Sequence, residues 1–280
     1  VETSVILALL GAALLHAAWH ALIKNSGDQL IGLAGMNVFS SFVALVALPF
    51  VAIPDGRVWQ VLILSVALHN GYKIGLARIY RHGELSQAYP LARGFSPILV
   101  TVIAFFALGE LPALFQLLGV LLICGGILAM RLDDQAFRPG MTLLSAAFLT
   151  GLMVAAYTVL DAYGARLSGD WLSFLVWLMF LDGLAFVGLI SVLRGRTLWS
   201  TVAREWRVTL ISGMLGVSAF SIFLWALSKG LTGGVAALRE TSVLFASMIG
   251  ILIYKERWSA QKLTGVLLIT LGIMTFTLQA

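Results

Sequence analysis

Ten apolar stretches, each near the length of a membrane-crossing helix, leave this chain few ways to fold. They lie at roughly 3–23, 30–53, 58–80, 86–108, 112–130, 140–161, 171–193, 207–228, 234–254 and 260–278. About 20 apolar residues in helical form span the hydrocarbon of a bilayer. With 60% hydrophobic and 11% charged residues, the chain could not cover a surface facing water, since soluble domains carry about a quarter charged residues. The expected class is an all-α integral membrane protein of ten transmembrane helices. The lone Cys124 rules out an intrachain disulfide and a cysteine metal cluster. The opening Val1-Glu2-Thr3-Ser4 has no basic segment, so the first span does not read as a cleaved signal peptide. The net charge of +5 sits mostly in short connections, where it orients helices. The bilayer is therefore an expected partner and nucleic acid is not.

One stretch occurs twice. Arg93, Ser96, Glu110, Gly119-Val120-Leu121-Leu122-Ile123 and Gly126-Ile127 return as Arg239, Ser242, Glu256, Gly265-Val266-Leu267-Leu268-Ile269 and Gly272-Ile273. The offset is 146 residues with no gap, and 91–130 shares 12 of 40 positions with 237–276. Apolar helices share leucines cheaply, but matched Arg, Ser, Glu and Gly at constant spacing are not cheap. The chain divides into two units, 1–132 and 139–280, within one membrane domain.

Basic residues then set the orientation. The connections after spans 1, 3, 5, 7 and 9 carry 12 Lys and Arg, from Lys24 to Lys262, against 3 on the other side, Arg57, Arg166 and Lys229. By the positive-inside rule the first group is cytoplasmic and both termini are outside. Five helices per unit is odd, so the second unit must enter upside down and its charge bias must flip. It does: Gly109-Glu110-Leu111-Pro112 has no basic residue, whereas Lys255-Glu256-Arg257-Trp258 with Lys262 has three. Two inverted five-helix repeats are the expected architecture, a plan that places a site near the midplane between repeats in secondary transporters.

Polar residues inside the spans mark candidate sites, because ionisable groups are costly there. Span 1 carries His16, Trp19 and His20 on one face. Two histidines four apart can bind a metal, but no third ligand has comparable spacing nearby, so neither metal nor cofactor is expected. Span 2 is bland, with Asn37, Ser40 and Ser41 read as helix-to-helix hydrogen bonding. Span 3 places His69, Tyr72, Lys73 and Tyr80 on one face; Lys73 either faces a cavity or partner, or snorkels to the nearer surface. Span 4 opens with Tyr89, Pro90, Arg93 and Pro97 and is expected to be kinked or broken in its first third. Its counterpart opens on Gly233-Gly234 before Arg239-Glu240. Span 6 stacks Tyr157 on Asp161, span 7 holds Trp177 and Asp182, and span 8 holds Ser218 and Trp225. Spans 5 and 10 have glycines but no intramembrane charge and read as scaffold.

These features place the candidate residues in two layers. His16, Trp19, Tyr72, Lys73, Tyr89 and Arg93 fall in the inner half or near the centre, and Tyr157, Asp161, Trp177, Trp225 and Arg239 in the outer half. Trp177 and Tyr157 are expected to face Trp19, His20, His69 and Tyr72 across the pathway. Arg239 should pair with Glu240 or Asp161. Arg93 has no evident acid at its depth, leaving backbone carbonyls or a substrate carboxylate.

The repeated Arg93…Gly109-Glu110…Gly119-Val120-Leu121-Leu122-Ile123…Gly126 pattern, with its second copy on ten helices, resembles the EamA-type exporters of the drug/metabolite transporter superfamily. Among these it is most similar to bacterial inner-membrane exporters of aromatic and other amino acids. The resemblance implies a central cavity lined by spans 1–4 and 6–9, with 5 and 10 peripheral. It departs at His16 and His20, where many relatives have small or apolar residues. The expected function is export of small amphiphilic metabolites, amino acids including aromatic ones, by alternating access. Proton coupling through His16, His20, His69, Asp161 or Asp182 and uncoupled export are both compatible with the residues. No phosphate-cradling loop appears, so ATP hydrolysis is not expected. Export of drugs or other metabolites, an intramembrane enzyme resting on His16 and His20, and a packing subunit are the rivals. The sequence carries no signal for oligomeric state.

Overall fold

The computed structural model describes residues 2–24, 28–81, 85–130, 141–254 and 259–278. The helices are α1 (Thr3–Lys24), α2 (Gln29–Ala47), α3 (Gly56–Arg81), α4 (Leu85–Leu108), α5 (Leu114–Ala129) and α6 (Met141–Leu167). They continue as α7 (Trp171–Arg194), α8 (Arg196–Arg204), α9 (Trp206–Lys229), α10 (Thr232–Glu240), α11 (Ser242–Tyr254) and α12 (Ala260–Thr277). No strand occurs among the described residues. The all-helical expectation holds, and among the described residues five helical stretches are long and apolar enough to cross a membrane: Thr3–Ile23, Leu30–Phe50, Phe148–Leu167, Trp171–Arg194 and Trp206–Lys229. Arg93–Leu108, Leu114–Ala129 and Ala260–Phe276 are apolar but shorter. Histidine, asparagine and lysine in its second half dilute the hydropathy of α3.

The expected break in the fourth span is not where the structure puts it. α4 runs as one helix through Pro90 and Pro97. Its counterpart breaks instead, at Thr241 between α10 and α11. There the Thr241 hydroxyl donates to the Leu238 carbonyl at 2.6 Å, Thr241 N donates to that carbonyl at 3.2 Å, and Leu244 N donates to Thr241 O at 2.9 Å. The three-residue bonds tighten the turn at this point, and the hydroxyl competes for a helical carbonyl. The other unforeseen element is α8, which buries Leu198 and leaves Trp199 half exposed.

Two local devices recur along the chain. Asp28 caps α2 by accepting from Leu30 N and Ile31 N, and Asp170 caps α7 by accepting from Leu172 N and Ser173 N. The second device is the antiparallel contact of α5 with α12. A Cβ on Gly126 would lie 2.7 Å from Gly265 O, and one on Gly265 would lie 2.6 Å from Gly126 O. A Cβ on Gly272 would lie 2.9 Å from Gly119 O. These glycines let two backbones touch, and the pairs Gly126–Gly265 and Gly119–Gly272 exchange under the 146-residue offset. Elsewhere α2 packs on α7, α1 on α9, α3 and α4 on α6, and α10 on α4. A large apolar core built from both halves includes Leu9, Leu62, Ile123, Phe174, Phe223 and Phe276.

Candidate functional site

Helix α3 carries two carboxylate partners one turn apart. His69 Nε2 lies 2.9 Å from Asp161 Oδ2 on α6, and the Ser65 hydroxyl donates to Asp161 Oδ1. Asp161 is fully buried, so both oxygens are met inside the protein. One turn along, Lys73 Nζ donates to Asp182 Oδ2 on α7 at 2.5 Å and to Asn37 Oδ1 on α2 at 3.0 Å. Asn70 Nδ2 meets the other oxygen, Asp182 Oδ1, at 2.9 Å. Lys73 also sits 4.7 Å over the Phe186 ring. Its ammonium is therefore held between helices and does not snorkel. The i, i+4 spacing of His69 and Lys73 aims both inward, and hydrogen bonds to both oxygens of each aspartate offset the cost of burying it.

A second cluster forms where α1, α4 and α10 meet. Arg93 Nη1 donates to Glu240 Oε1 at 2.7 Å, and Arg239 Nη2 reaches the same oxygen at 3.3 Å. Arg93 Nη2 lies 3.2 Å from His16 Nε2. Arg239 lies 4.1 Å over the Phe223 ring. The expected pairing of Arg239 with Glu240 is present, but Asp161 is taken by His69. The expectation that Arg93 lacks an acid is overturned: it makes the shorter bond to Glu240. The error came from assigning the two arginines to opposite depths. In the fold α4 and α10 cross where both arginines reach one carboxylate.

The aromatic candidates divide. His16, Trp19 and His20 form one stack on α1, with centroids 3.7 Å apart for Trp19–His20 and 4.7 Å for His16–His20. Tyr157 stacks on His69 at 4.0 Å and meets Tyr72 edge-on at 5.9 Å. That contact and the shared Glu240 replace the two expected layers with one interlocked seam. Trp177 does not face this seam. Its Nε1 donates to Ala52 O at 3.0 Å and its ring packs edge-on to Trp59 at 5.0 Å. Trp59 precedes His69 by ten residues, about 15 Å along a helix. Trp225 packs against the large core, and Ser218 is exposed. The Tyr89 side chain lies outside the described residues, as do Glu256 and Trp258.

Glu110 is a buried residue that the site reading missed. It accepts from Arg166 Nη1 at 2.5 Å, and from Thr232 N and Oγ1 at 2.6 Å each. It thereby caps α10, where a carboxylate suits the positive helix end. Arg166 also donates to Leu227 O and Gly230 O at the end of α9. The available signal was the repeat itself, since Glu110 is one of its matched polar residues. Asn37 and Ser65 left only single polar letters in apolar spans.

The second half of the chain is similar to a known transporter family. Residues 141–278 match the EamA-like transporter family. The EamA-like segment contains Asp161, Asp182, Arg239 and Glu240, so every carboxylate that pairs with α3 and α4 belongs to it. A solved structure titled "Crystal structure of protein" aligns over 99% of this chain and 96% of its own, with a TM-score of 0.77 and 16% identity. That likeness extends a shared fold across the whole chain. No curated protein matches the chain. The apolar helices and the EamA-like segment make this a multi-pass membrane protein. Among the described residues, no three His, Cys, Asp or Glu side chains gather in a metal-holding arrangement. Ser65, Asp161 and His69 do not form a nucleophile relay either, because the hydroxyl meets the carboxylate and not the imidazole.

Proposed function

We propose that the chain is a secondary transporter that exports small amphiphilic metabolites, aromatic amino acids among them, from the bacterial cytoplasm by alternating access. One observation carries this reading. Arg93–Glu240, His69–Asp161, Lys73–Asp182 and Glu110–Arg166 each join residues 1–132 to residues 139–280. The halves of an apolar bundle thus meet along a polar seam. Ionisable groups are expensive inside a membrane and mark pathways when they face a bundle interior. The rings of Trp19, His20, His69, Tyr72 and Tyr157 beside the seam suit a substrate with an apolar part.

The same reading takes the two halves as inverted repeats. The exchanged glycine pairs of α5 and α12 support it, as do the convergence of Arg93 with Arg239 and the matching caps of α2 and α7. Such repeats rock about a site near the midplane. The orientation with both termini outside follows from the charge count, and a cytoplasm-only reporter fused after Ala280 should be silent. The function itself is tested by reconstituting the purified chain into proteoliposomes and following labelled amino acids and drug-like cations. Flux of aromatic amino acids supports the reading, flux of cations alone redirects it to drug export, and no flux of either removes it.

A further inference from the structure

Among the carboxylates that bridge helices in the described residues, Glu240 differs from the rest. Both oxygens of Asp161 have donors, from Ser65 and His69, as do both of Asp182, from Asn70 and Lys73. Both oxygens of Glu110 are also met. Glu240 instead takes two guanidinium groups on Oε1, at 2.7 and 3.3 Å, while its Oε2 is buried without a partner. Arg239 Nε is likewise buried without a partner. The side chains are 9% and 2% exposed, so solvent does not satisfy them. An unmet acceptor and an unmet donor therefore sit on neighbouring residues. Because Arg239 Nη2 and Glu240 Oε1 are only 3.3 Å apart, Nε and Oε2 lie within the span of one small ligand.

We propose that this corner binds the head group of an α-amino acid. Its carboxylate accepts from Arg239 Nε, and its ammonium donates to Glu240 Oε2. A zwitterionic head supplies one acceptor and one donor, the complement of the two orphaned atoms. A simple anion would leave Oε2 unmet and face it with like charge; a simple cation would leave Nε unmet. The tightened turn at Thr241 follows this corner directly. Phe223 below Arg239 and the His16, Trp19 and His20 rings beside Arg93 supply faces for an apolar substrate side chain. The inference rests on the transporter reading and names its substrate class.

Thermal unfolding of the purified full chain tests the site without requiring transport. The probes are L-phenylalanine and L-leucine, each beside its amide, which lacks the carboxylate, and its deaminated acid, which lacks the ammonium. Hydrogen bonds to charged groups predict that at least one free amino acid binds about ten- to a hundredfold more tightly than both of its analogues. In Arg239→Lys the preference over the amide should shrink, and in Glu240→Gln the preference over the deaminated acid should shrink. The wild-type comparison stands even if a variant does not fold. Equal binding of all three forms, or no binding by either amino acid, overturns the proposal and leaves a structural ion pair. Counterflow in proteoliposomes separates the two readings. Discrimination in binding without flux removes the transporter and keeps the site, whereas flux without discrimination keeps the transporter and removes the site.

Discussion

The two buried clusters solve the same electrostatic problem differently. On α3 His69 and Lys73 each have their own carboxylate, and the second carboxylate oxygen is met by Ser65 or Asn70. At the α4–α10 crossing two cations share one oxygen, and one atom of each partner in the Arg239–Glu240 pair is left over. The α3 carboxylates have both oxygens met without a ligand and fasten α3 to α6 and α7. The crossing is incomplete. In an interior of low dielectric an unmet charged group is a defect in a purely structural contact and an asset where something must bind.

The largest effect should come from breaking a complete pair. Asp161→Ala strands the buried Ser65 hydroxyl and the partly buried His69 ring, and two unmet groups at about 1–3 kcal/mol each should cost about 3–5 kcal/mol together. Thermal unfolding in detergent reads it, and a melting point near that of the unmodified chain would mean that the α3 pairs fasten nothing. At the crossing the effects should split. Arg93→Gln removes the shorter bond to Glu240 and should cost about 2–3 kcal/mol, the range for bonds to charged groups. Arg239→Gln leaves Glu240 with Arg93 and should cost about 1 kcal/mol while reducing amino-acid counterflow more strongly. Equal stability losses would erase the distinction between the two arginines.

Gly265→Ala probes the contact of α5 with α12, which the hydrogen bonds described for the two clusters do not use. Its new Cβ meets Gly126 O and should cost about 1–2 kcal/mol by overpacking, with amino-acid discrimination unchanged. A change in discrimination would tie α5 and α12 to the pathway. Replacing a complete pair outright, Lys73→Met with Asp182→Leu, should cost less than about 1 kcal/mol, because both charges leave together. A loss as large as that from Asp161→Ala would argue against self-contained pairing.

The smallest effect concerns the α7 cap. Asp170 is held below its ordinary carboxylate value of 3.8, chiefly by the Ser173 hydroxyl and also by the backbone N–H groups of Leu172 and Ser173. A depressed folded value means that its contribution is full above the ordinary range and is lost as pH falls through the folded value. Between about pH 6 and about pH 3 the chain should lose a small part of its melting temperature that Asp170→Asn does not lose. Identical pH profiles would show that the cap is not what titrates.

Much of the fold was legible because hydrophobic run length and local chemistry act along the chain. The apolar stretches select helices, Asp28 and Asp170 start them, and the paired glycines mark where helices touch. The repeat pointed to Arg93, Glu110 and Arg239 before any contact was known. Periodicity put His69 and Lys73 on one face, and the structure puts both against carboxylates. Partner choice was not legible. Asp161 and Asp182 are each about a hundred residues from their partners, and assigning depth from span order separated Arg93 from Arg239 although their helices cross. The break at Thr241 was hidden because a threonine hydroxyl and a helix-breaking turn leave no mark as plain as proline. The sequence by itself pointed to an all-helical apolar chain, to the polar faces of its helices and to a stretch that recurs, since helix formation and amphipathic faces depend on neighbours within a few residues. Only the tertiary structure decided which cation meets which carboxylate, and that Glu240 and Arg239 each keep one atom unmet, because those pairings depend on how helices distant in the chain cross.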